Sequence, residues 1–260
     1  RPRIAELGED LKVLGQLDAE RAGGLFGLRF DGTAPAYDSA RIAIDNCRPP
    51  ALLLIGAEPV IPVDLNLHKD HPVLVISGPN GGGKSVALTA FAWCFELSAR
   101  GVPIPARSVT LPAPPYQPAI VVGDAANDSD GDSTFSGHLN QVKRAIDPTR
   151  SGQRIVFIDE LGGGTEPVAG NALACAVVER LADQGDFALV TTHYEGLKDY
   201  ALTDERLRVA AVRDRSDPTV AFRLFADEVG GSDSLGLAVA LGLDDKLLAS
   251  AQRFLDPGRA

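Results

Sequence analysis

One octapeptide, Gly78-Pro79-Asn80-Gly81-Gly82-Gly83-Lys84-Ser85, constrains this chain more than any other feature. Its spacing, G-x-x-x-x-G-K-S, is typical of loops that bind nucleotide phosphates. The five residues before it, 73–77, form an apolar run that is typical of a buried strand. Residues 86–95 are long and apolar enough for a helix packed on a sheet. We therefore predict a phosphate-binding loop between a strand and a helix; the alternative is a glycine-rich turn that happens to precede a lysine.

The chemistry of such a loop comes from its backbone and from two side chains. Free backbone N–H groups and the helix dipole favour an anion at a helix N-terminus, and glycines let the backbone approach phosphate closely. Lys84 would reach the β- and γ-phosphates, and Ser85 would hold Mg²⁺. The predicted nucleotide contacts in this run are Gly78, Pro79, Asn80, Gly81, Gly82, Gly83, Lys84, Ser85 and Val86.

Two carboxylates follow a second apolar run. Residues 154–158 predict a buried parallel strand that ends at Asp159 and Glu160. Ligands of open α/β sheets lie at the carboxyl ends of the strands, so this pair is expected to face the phosphate loop. Asp159 is then the predicted Mg²⁺ partner, and Glu160 is placed to orient or deprotonate the attacking water. The alternative is a pair of solvated carboxylates at a strand end.

His193 ends a third apolar run, residues 187–192, in the same way. Its position favours contact with the γ-phosphate or with water, although a lone histidine is usually structural or lies on the surface. We therefore predict three catalytic residues, Lys84, Glu160 and His193.

Composition limits the remaining possibilities. The chain has 260 residues, a formal charge of −10 and a pI of about 4.9, which argues against strong nucleic-acid binding by this surface alone. Its three cysteines have no metal-binding spacing and suggest a reducing cytosol, so we expect a cytoplasmic protein. No apolar run approaches a membrane span, and no membrane partner is expected. The chain begins at Arg1 and has no methionine, which suggests a fragment of a longer protein.

Outside these motifs, local patterns predict individual elements. Residues 4–30 show leucines at helical spacing, and residues 41–63, including the apolar run 51–55, suggest short edge strands and turns. Six prolines in residues 102–118 suggest a surface connection. Residues 123–132 suggest a mobile loop, with calcium binding as a weak alternative.

The remaining elements lie nearer the C-terminus. Residues 137–146 suggest a helix capped by Ser133 or Thr134, and residues 207–212 with 220–225 suggest a β-hairpin. The tail suggests two short helices, which could form a lid, a dimer contact or a helix-turn-helix; its few basic residues favour the dimer contact.

Four motifs together resemble the ATPase domain of MutS proteins, relatives of the ATP-binding cassettes that act as dimers on DNA. They are the octapeptide, Ser133-Thr134-Phe135, the run from Asp159 to Thr165, and Thr191-Thr192-His193-Tyr194. The similarity covers about residues 46–260. Ser136, His138 and the run from His193 to Lys198 favour the second bacterial branch, MutS type II, over the mismatch-repair branch.

The resemblance implies a P-loop NTPase fold of the ATP-binding-cassette type. This is an α/β fold with a mostly parallel sheet flanked by helices. Residues 1–45 would end a helical core, residues 46–230 would form the ATPase domain, and residues 231–260 would form a helical pair for dimerisation. In a homodimer, Ser133 and Thr134 would reach the partner's γ-phosphate.

The resemblance also implies ATP, ADP and Mg²⁺ as ligands, and a role on branched or double-stranded DNA in suppressing recombination. Rescue of collided ribosomes is a further possibility. Full-length members often end in an Smr nuclease module, but we expect no nuclease activity from this chain.

Some residues depart from the family pattern, and two other functions stay open. Val63 stands where the family usually has an asparagine near the adenine, which implies weaker or altered base recognition; Glu166 and Pro49 also differ. One alternative function is a nucleotide-gated dimerisation switch with little hydrolysis. The other is a cassette ATPase of another system, although the Leu-Ser-Gly-Gly-Gln signature of such proteins is absent.

Overall fold

A computed structural model describes residues 2–122, 134–147, 153–213, 223–230, 238–239 and 242–255. Ser133, the polar segment 123–132, the tip of the predicted hairpin and much of the predicted C-terminal helical pair lie outside these residues.

The elements of the described chain follow one another in a mixed order of helices and strands. The helices are α1 (Pro2–Arg29), α2 (Pro50–Leu54), α3 (Lys84–Ala99), α4 (Thr134–Ala145), α5 (Pro167–Gln184), α6 (Glu195–Thr203) and α7 (Asp245–Leu255). The strands are β1 (Ala36–Tyr37), β2 (Arg41–Cys47), β3 (Val63–His68), β4 (Val73–Ser77), β5 (Ser108–Leu111), β6 (Tyr116–Val121), β7 (Gln153–Ile158), β8 (Phe187–Thr191), β9 (Leu207–Val212) and β10 (Leu224–Ala226).

A mostly parallel sheet runs through the centre, in the order β10-β9-β4-β8-β7-β6. Neighbouring strands from β9 to β6 are parallel, and β10 adds an antiparallel edge. Buried on both faces, strands β4 and β8 have the continuous apolar sequence that parallel sheets require. The predicted α/β class with a mostly parallel sheet flanked by helices is confirmed.

Successive residues of the central strands supply two different cores, because side chains alternate across a strand. On one face, Leu74 and Ile76 of β4 pack with α3 and with a second sheet. On the other face, Val73 and Val75 pack with α4, α5 and α6. The central sheet is therefore covered on both sides, which holds its carboxyl edge in a fixed position.

The second sheet is four-stranded, in the order β1-β5-β2-β3, and it was not predicted as a unit. β2 pairs antiparallel with both β3 and β5. Along β3 the residues alternate between buried and exposed, as expected for a sheet with one solvated face.

Two sequence predictions about these regions are wrong. Residues 51–54 were expected in an edge strand but belong to α2, which starts with Pro50 at a first helical position, where its missing N–H costs nothing. Residues 102–118 were expected to be a surface connection, yet they contain β5 and the start of β6, and Ile104, Leu111 and Tyr116 are buried. Pro118 is tolerated in β6 because this strand lies at the edge of the sheet.

The other predicted elements are found where the structure describes them. α1 spans the predicted N-terminal helix, and its leucines Leu7, Leu11, Leu14 and Leu17 are exposed, so the described residues do not cover its apolar stripe. β9 and β10 pair as the predicted hairpin, with Leu224 opposite Val212. Among the described residues, no helix combines the length and apolarity that a membrane span requires.

Candidate active site

The glycine-rich loop, residues 78–83, connects the carboxyl end of β4 to the first turn of α3. Gly78 has a φ of 132°, and a Cβ there would lie 2.3 Å from the Val212 carbonyl oxygen, so only glycine fits. α3 begins directly after the loop, and Gly83 at its N-cap offers no side chain to occupy the first N–H groups. The loop and the helix start therefore form a backbone surface suited to an anion.

Lys84 is buried, and its ammonium group turns back onto the loop. The Nζ atom donates to the Gly78 carbonyl oxygen at 2.7 Å and to the Pro79 carbonyl oxygen at 3.1 Å, with Asn80 Oδ1 at 3.5 Å. Burial lowers the pKa of Lys84, while the carboxylates of Glu160 and Asp159 raise it in opposition. Lys84 therefore lies close enough to Asp159 and Glu160 for their charges to affect it.

Asp159 and Glu160 follow β7, as predicted, and Thr191 holds both of them. The Thr191 hydroxyl donates to Asp159 Oδ1 at 2.5 Å, and the Glu160 N–H donates to the same hydroxyl at 2.8 Å. Thr191 ends β8, which lies between β4 and β7 in the sheet. The order of the strands therefore places the carboxylates on the same edge as the loop.

The backbone of Glu160 departs from ordinary geometry. Its φ is 53°, in the left-handed region that non-glycine residues rarely adopt. Its N–H donates to Thr191 Oγ1, and its carbonyl accepts from the Gly163 N–H at 2.9 Å. Strain of this kind persists when surrounding contacts over-determine it, and it clusters at functional sites. The side chain of Glu160 is exposed, whereas Asp159 is 8% exposed.

The remaining predicted residues are only partly brought into this arrangement. Ser85 and Val86 lie on the first turn of α3 and are exposed. Together with Pro49, Leu52 and Thr89 they line a mostly apolar groove of about 190 Å³. His193 follows β8, is exposed, and stacks at a tilt on Tyr194 with ring centroids 4.4 Å apart.

The second half of the predicted site lies at the start of α4. Thr134 begins this helix, but its side chain and the whole of Ser133 lie outside the described residues. Their predicted roles therefore stay predictions. Phe135, one residue further, lies within 3.7–3.9 Å of where a Cβ on Gly164 would be, so the helix start packs against the loop after Glu160.

Two buried residues near this edge have no catalytic or binding role predicted from the sequence. His138 is 6% exposed, and neither ring nitrogen makes a hydrogen bond of normal geometry within the described residues. Burial lowers its pKa, opposed by the Val122 backbone and by the charges of Glu160 and Asp159. The signal was present, because His138, Val142 and Ala145 share the helical spacing of the buried face of α4.

Lys198 is the other residue, at 1% exposed. Its spacing of three residues from Glu195 was the visible signal, since such pairs meet on a helix. Lys198 Nζ lies 2.7 Å from Glu195 Oε1, and its charge helps to lower the pKa of Lys84.

Comparison with known proteins agrees with this geometry. The family model described as MutS domain V, the ATPase domain of that family, matches residues 74–256. The protein named Endonuclease MutS2 from Pelotomaculum thermopropionicum is 36% identical over 251 residues, which are 96% of this chain and 31% of that protein. The protein of the same name from Symbiobacterium thermophilum is 34% identical over 249 residues, 95% of this chain and 31% of that protein. The chain thus spans about a third of the length of these relatives, and it belongs to the MutS family as a domain V of the MutS2 branch.

Proposed function

We propose that this chain binds ATP with Mg²⁺ and hydrolyses it. One observation carries the proposal: Lys84 and its glycine-rich loop lie at the same edge of one sheet as Asp159 and Glu160, with Thr191 between them holding both acidic residues. Phosphoryl transfer is catalysed mainly by positioning and by electrostatic stabilisation, and a fixed edge of this kind supplies both.

Different groups of the chain would bind the phosphates and the adenosine of the nucleotide. The N–H groups at the start of α3 and the Lys84 ammonium would hold phosphate oxygens, in exchange for the carbonyls that Lys84 now contacts. The apolar groove beside Ser85 and Val86 would accept part of the adenosine. Val63 is buried in β3, at 4% exposed. Its effect on adenine recognition stays a prediction.

The donor set at this edge fits magnesium. Ser85 and Asp159 offer the hydroxyl and carboxylate oxygens that this ion prefers. Within the described residues there is no cluster of three or more His, Cys, Asp or Glu side chains that could hold a metal, so water and phosphate would complete the shell. When bound, the ion would neutralise phosphate charge.

Glu160 would act on the attacking water. Its backbone is held on both sides while its carboxylate is exposed, so the side chain is free to accept a proton from water at one of its oxygens. His193, exposed at the end of the neighbouring strand, would contact the γ-phosphate or that water.

Dimerisation and the contact with DNA or the ribosome are proposed from membership of the family. Two copies would close on two ATP molecules, with Ser133 and Thr134 reaching the partner's γ-phosphate, and hydrolysis would release them. Relatives named endonucleases extend well beyond this chain, so contact with branched DNA, or with the ribosome, would depend mainly on other regions. The free thiols of Cys47, Cys94 and Cys175 fit the reducing cytoplasm, where we place the protein.

Steady-state ATP hydrolysis with Mg²⁺, measured over a range of protein concentrations, tests the proposal. Specific activity that rises with concentration supports a composite dimer, and activity that is flat means that each copy is self-sufficient. Tight ATP binding without turnover would favour the nucleotide-gated switch. Absence of ATP binding would overturn the proposal altogether.

A further inference from the structure

A buried lysine that is not among the predicted phosphate contacts binds a chain segment next to the glycine-rich loop. Lys198 lies on α6 and is 1% exposed, although lysine is almost never fully buried unless it is paired. Its Nζ donates to Glu195 Oε1 at 2.7 Å and to the Gly230 carbonyl oxygen at 2.8 Å. The Glu195 side chain is 65% exposed, whereas Gly230 is half-buried, so the two partners of this ammonium lie in different surroundings.

Gly230 is fixed from its other side by Ser77. The Gly230 N–H donates to Ser77 Oγ at 2.8 Å, and the Ser77 hydroxyl donates to the Ala210 carbonyl oxygen at 3.3 Å. Ser77 is the last residue of β4 and is buried. The Gly230 N–H is therefore bonded to the residue directly before the loop, and its carbonyl oxygen is bonded to Lys198 of α6.

Gly230 also touches the loop itself. A Cβ on Gly230 would lie 2.7 Å from the Cα atom and 3.0 Å from the nitrogen of Gly78, closer than real Cβ atoms pack on backbone. On its opposite side Gly78 faces the Val212 carbonyl oxygen. The first residue of the loop is thus enclosed between β9 and Gly230, and its own carbonyl accepts the ammonium of Lys84.

We infer that Lys198 and Gly230 are positioning residues for the nucleotide site. Lys198 holds Gly230 against Gly78 and so sets the start of the loop and the place of Lys84. The inference rests on the proposed ATP site, but it assigns a role to a lysine that would touch no phosphate. It also makes residues 227–230 a support for the loop rather than a simple connection to the C-terminal helix.

The test measures the dissociation constants of ATP and ADP, together with the thermal midpoint without nucleotide, for the wild type and three variants. Lys198→Met keeps the length of the side chain and removes the donor. Ser77→Ala removes the acceptor of the Gly230 N–H. Gly230→Ala adds the Cβ that would collide with Gly78. We expect each dissociation constant to rise by about 10- to 100-fold, because a displaced Lys84 would lose hydrogen bonds to charged phosphate that contribute about this much. Lys69→Met on an exposed turn and Gly24→Ala, where a Cβ meets nothing within 4 Å, are the matched controls.

A double-mutant cycle distinguishes positioning from general damage. If Lys198 and Ser77 act through the same glycine, the double variant loses little more affinity than the worse single variant. Affinity unchanged in Lys198→Met and in Gly230→Ala would overturn the inference, and so would a full sum of the two single losses. If Lys198→Met does not fold, Lys198→Gln takes its place in the cycle, while Ser77→Ala and Gly230→Ala still decide the role of Gly230. A wild-type protein that binds no nucleotide would refute the proposed function instead.

Discussion

The hydroxyl of Thr191, the last residue of β8, lies 2.5 Å from Oδ1 of Asp159, the residue that directly follows the neighbouring strand β7. The same hydroxyl accepts the N–H of Glu160. One buried side chain of β8 therefore sets the direction of the first carboxylate and the backbone of the second. This relationship makes Thr191 a sensitive point for catalysis, although it would touch no substrate.

Replacing Thr191 by valine should impair both stability and turnover. The change keeps the volume and removes the hydroxyl, which leaves the buried Asp159 carboxylate without this donor and the Glu160 N–H without this acceptor. A hydrogen bond to a charged group contributes about 1.5–3 kcal/mol to stability. We expect a loss of this size in urea unfolding and a fall in kcat of about 10- to 100-fold. Thr191→Ser, which keeps the hydroxyl, should recover most of both; equal losses in the two variants would contradict the role of that hydroxyl.

Lys84→Ala and Glu160→Ala should affect different steps. The first removes the cation that would hold the phosphates, so ATP binding should be lost. The second removes the proton acceptor, so binding should persist while turnover stops. Equilibrium binding of ATP and single-turnover hydrolysis separate the two effects. Lys69→Ala and Glu205→Ala, both at exposed positions, serve as controls. The role proposed for Glu160 would be refuted by a loss of binding equal to that of Lys84→Ala.

His138 should make the folded state sensitive to acid. Burial lowers its pKa below the ordinary 6.5 of an unfolded chain, despite the nearby charges of Glu160 and Asp159. Below pH 6.5 the unfolded chain takes up a proton that the folded chain accepts less readily, so stability should fall as the pH drops. The loss is confined to the interval between the folded and unfolded pKa values, and about 1.4 kcal/mol per pH unit is its upper limit for one residue.

Denaturant unfolding of the wild type and of His138→Leu, between pH 5 and pH 8 and without nucleotide, checks this expectation. The variant should lose part of the pH dependence while remaining as stable as the wild type at pH 8, since neither ring nitrogen makes a normal hydrogen bond within the described residues. An unchanged slope in the variant would show that other groups cause the acid sensitivity.

Asp186 and Arg154 form an ion pair at the opposite end of the central strands from the glycine-rich loop. Removing one partner of this pair should lower the stability of the fold without impairing catalysis. Arg154 Nε donates to Asp186 Oδ1 at 2.8 Å, and Arg154 Nη2 lies 2.7 Å from Oδ2. Burial raises the pKa of Asp186, against the opposing effect of Arg154. Removing one partner of a buried pair costs about 3–5 kcal/mol because the other charge stays buried.

We therefore expect Asp186→Ala to lower the free energy of unfolding by several kcal/mol, and the nucleotide affinity of the folded fraction to stay at the wild-type value. Glu205→Ala is the matched control. A large change in affinity at a temperature where the variant is fully folded would contradict this separation of stability from function.

The sequence alone determined the strands of the central sheet and the motifs at their ends. β4, β7 and β8 are short apolar runs, as a parallel strand buried on both faces requires, and the polar motifs that follow them support their assignment as strands. The spacing of the glycine-rich loop and of Lys84 was equally local. The strand predicted for residues 51–55 was wrong because five apolar residues show neither the helical nor the strand period clearly. The proline at the first turn of α2 fits a helix start.

Only the tertiary structure decided which of these local features meet. The order of strands in the sheet places Thr191 between the loop and the two carboxylates, although 31 or more residues of chain separate it from each of them. The helical spacing of His138 and Lys198 was visible in the sequence, but their burial, at 6% and 1% exposed, became clear only from the tertiary structure. Prolines at residues 102–118 suggested a connection, but strand pairing with distant segments made part of it a sheet. Burial and strand pairing depend on contacts between residues far apart in the chain, and no local pattern records those contacts.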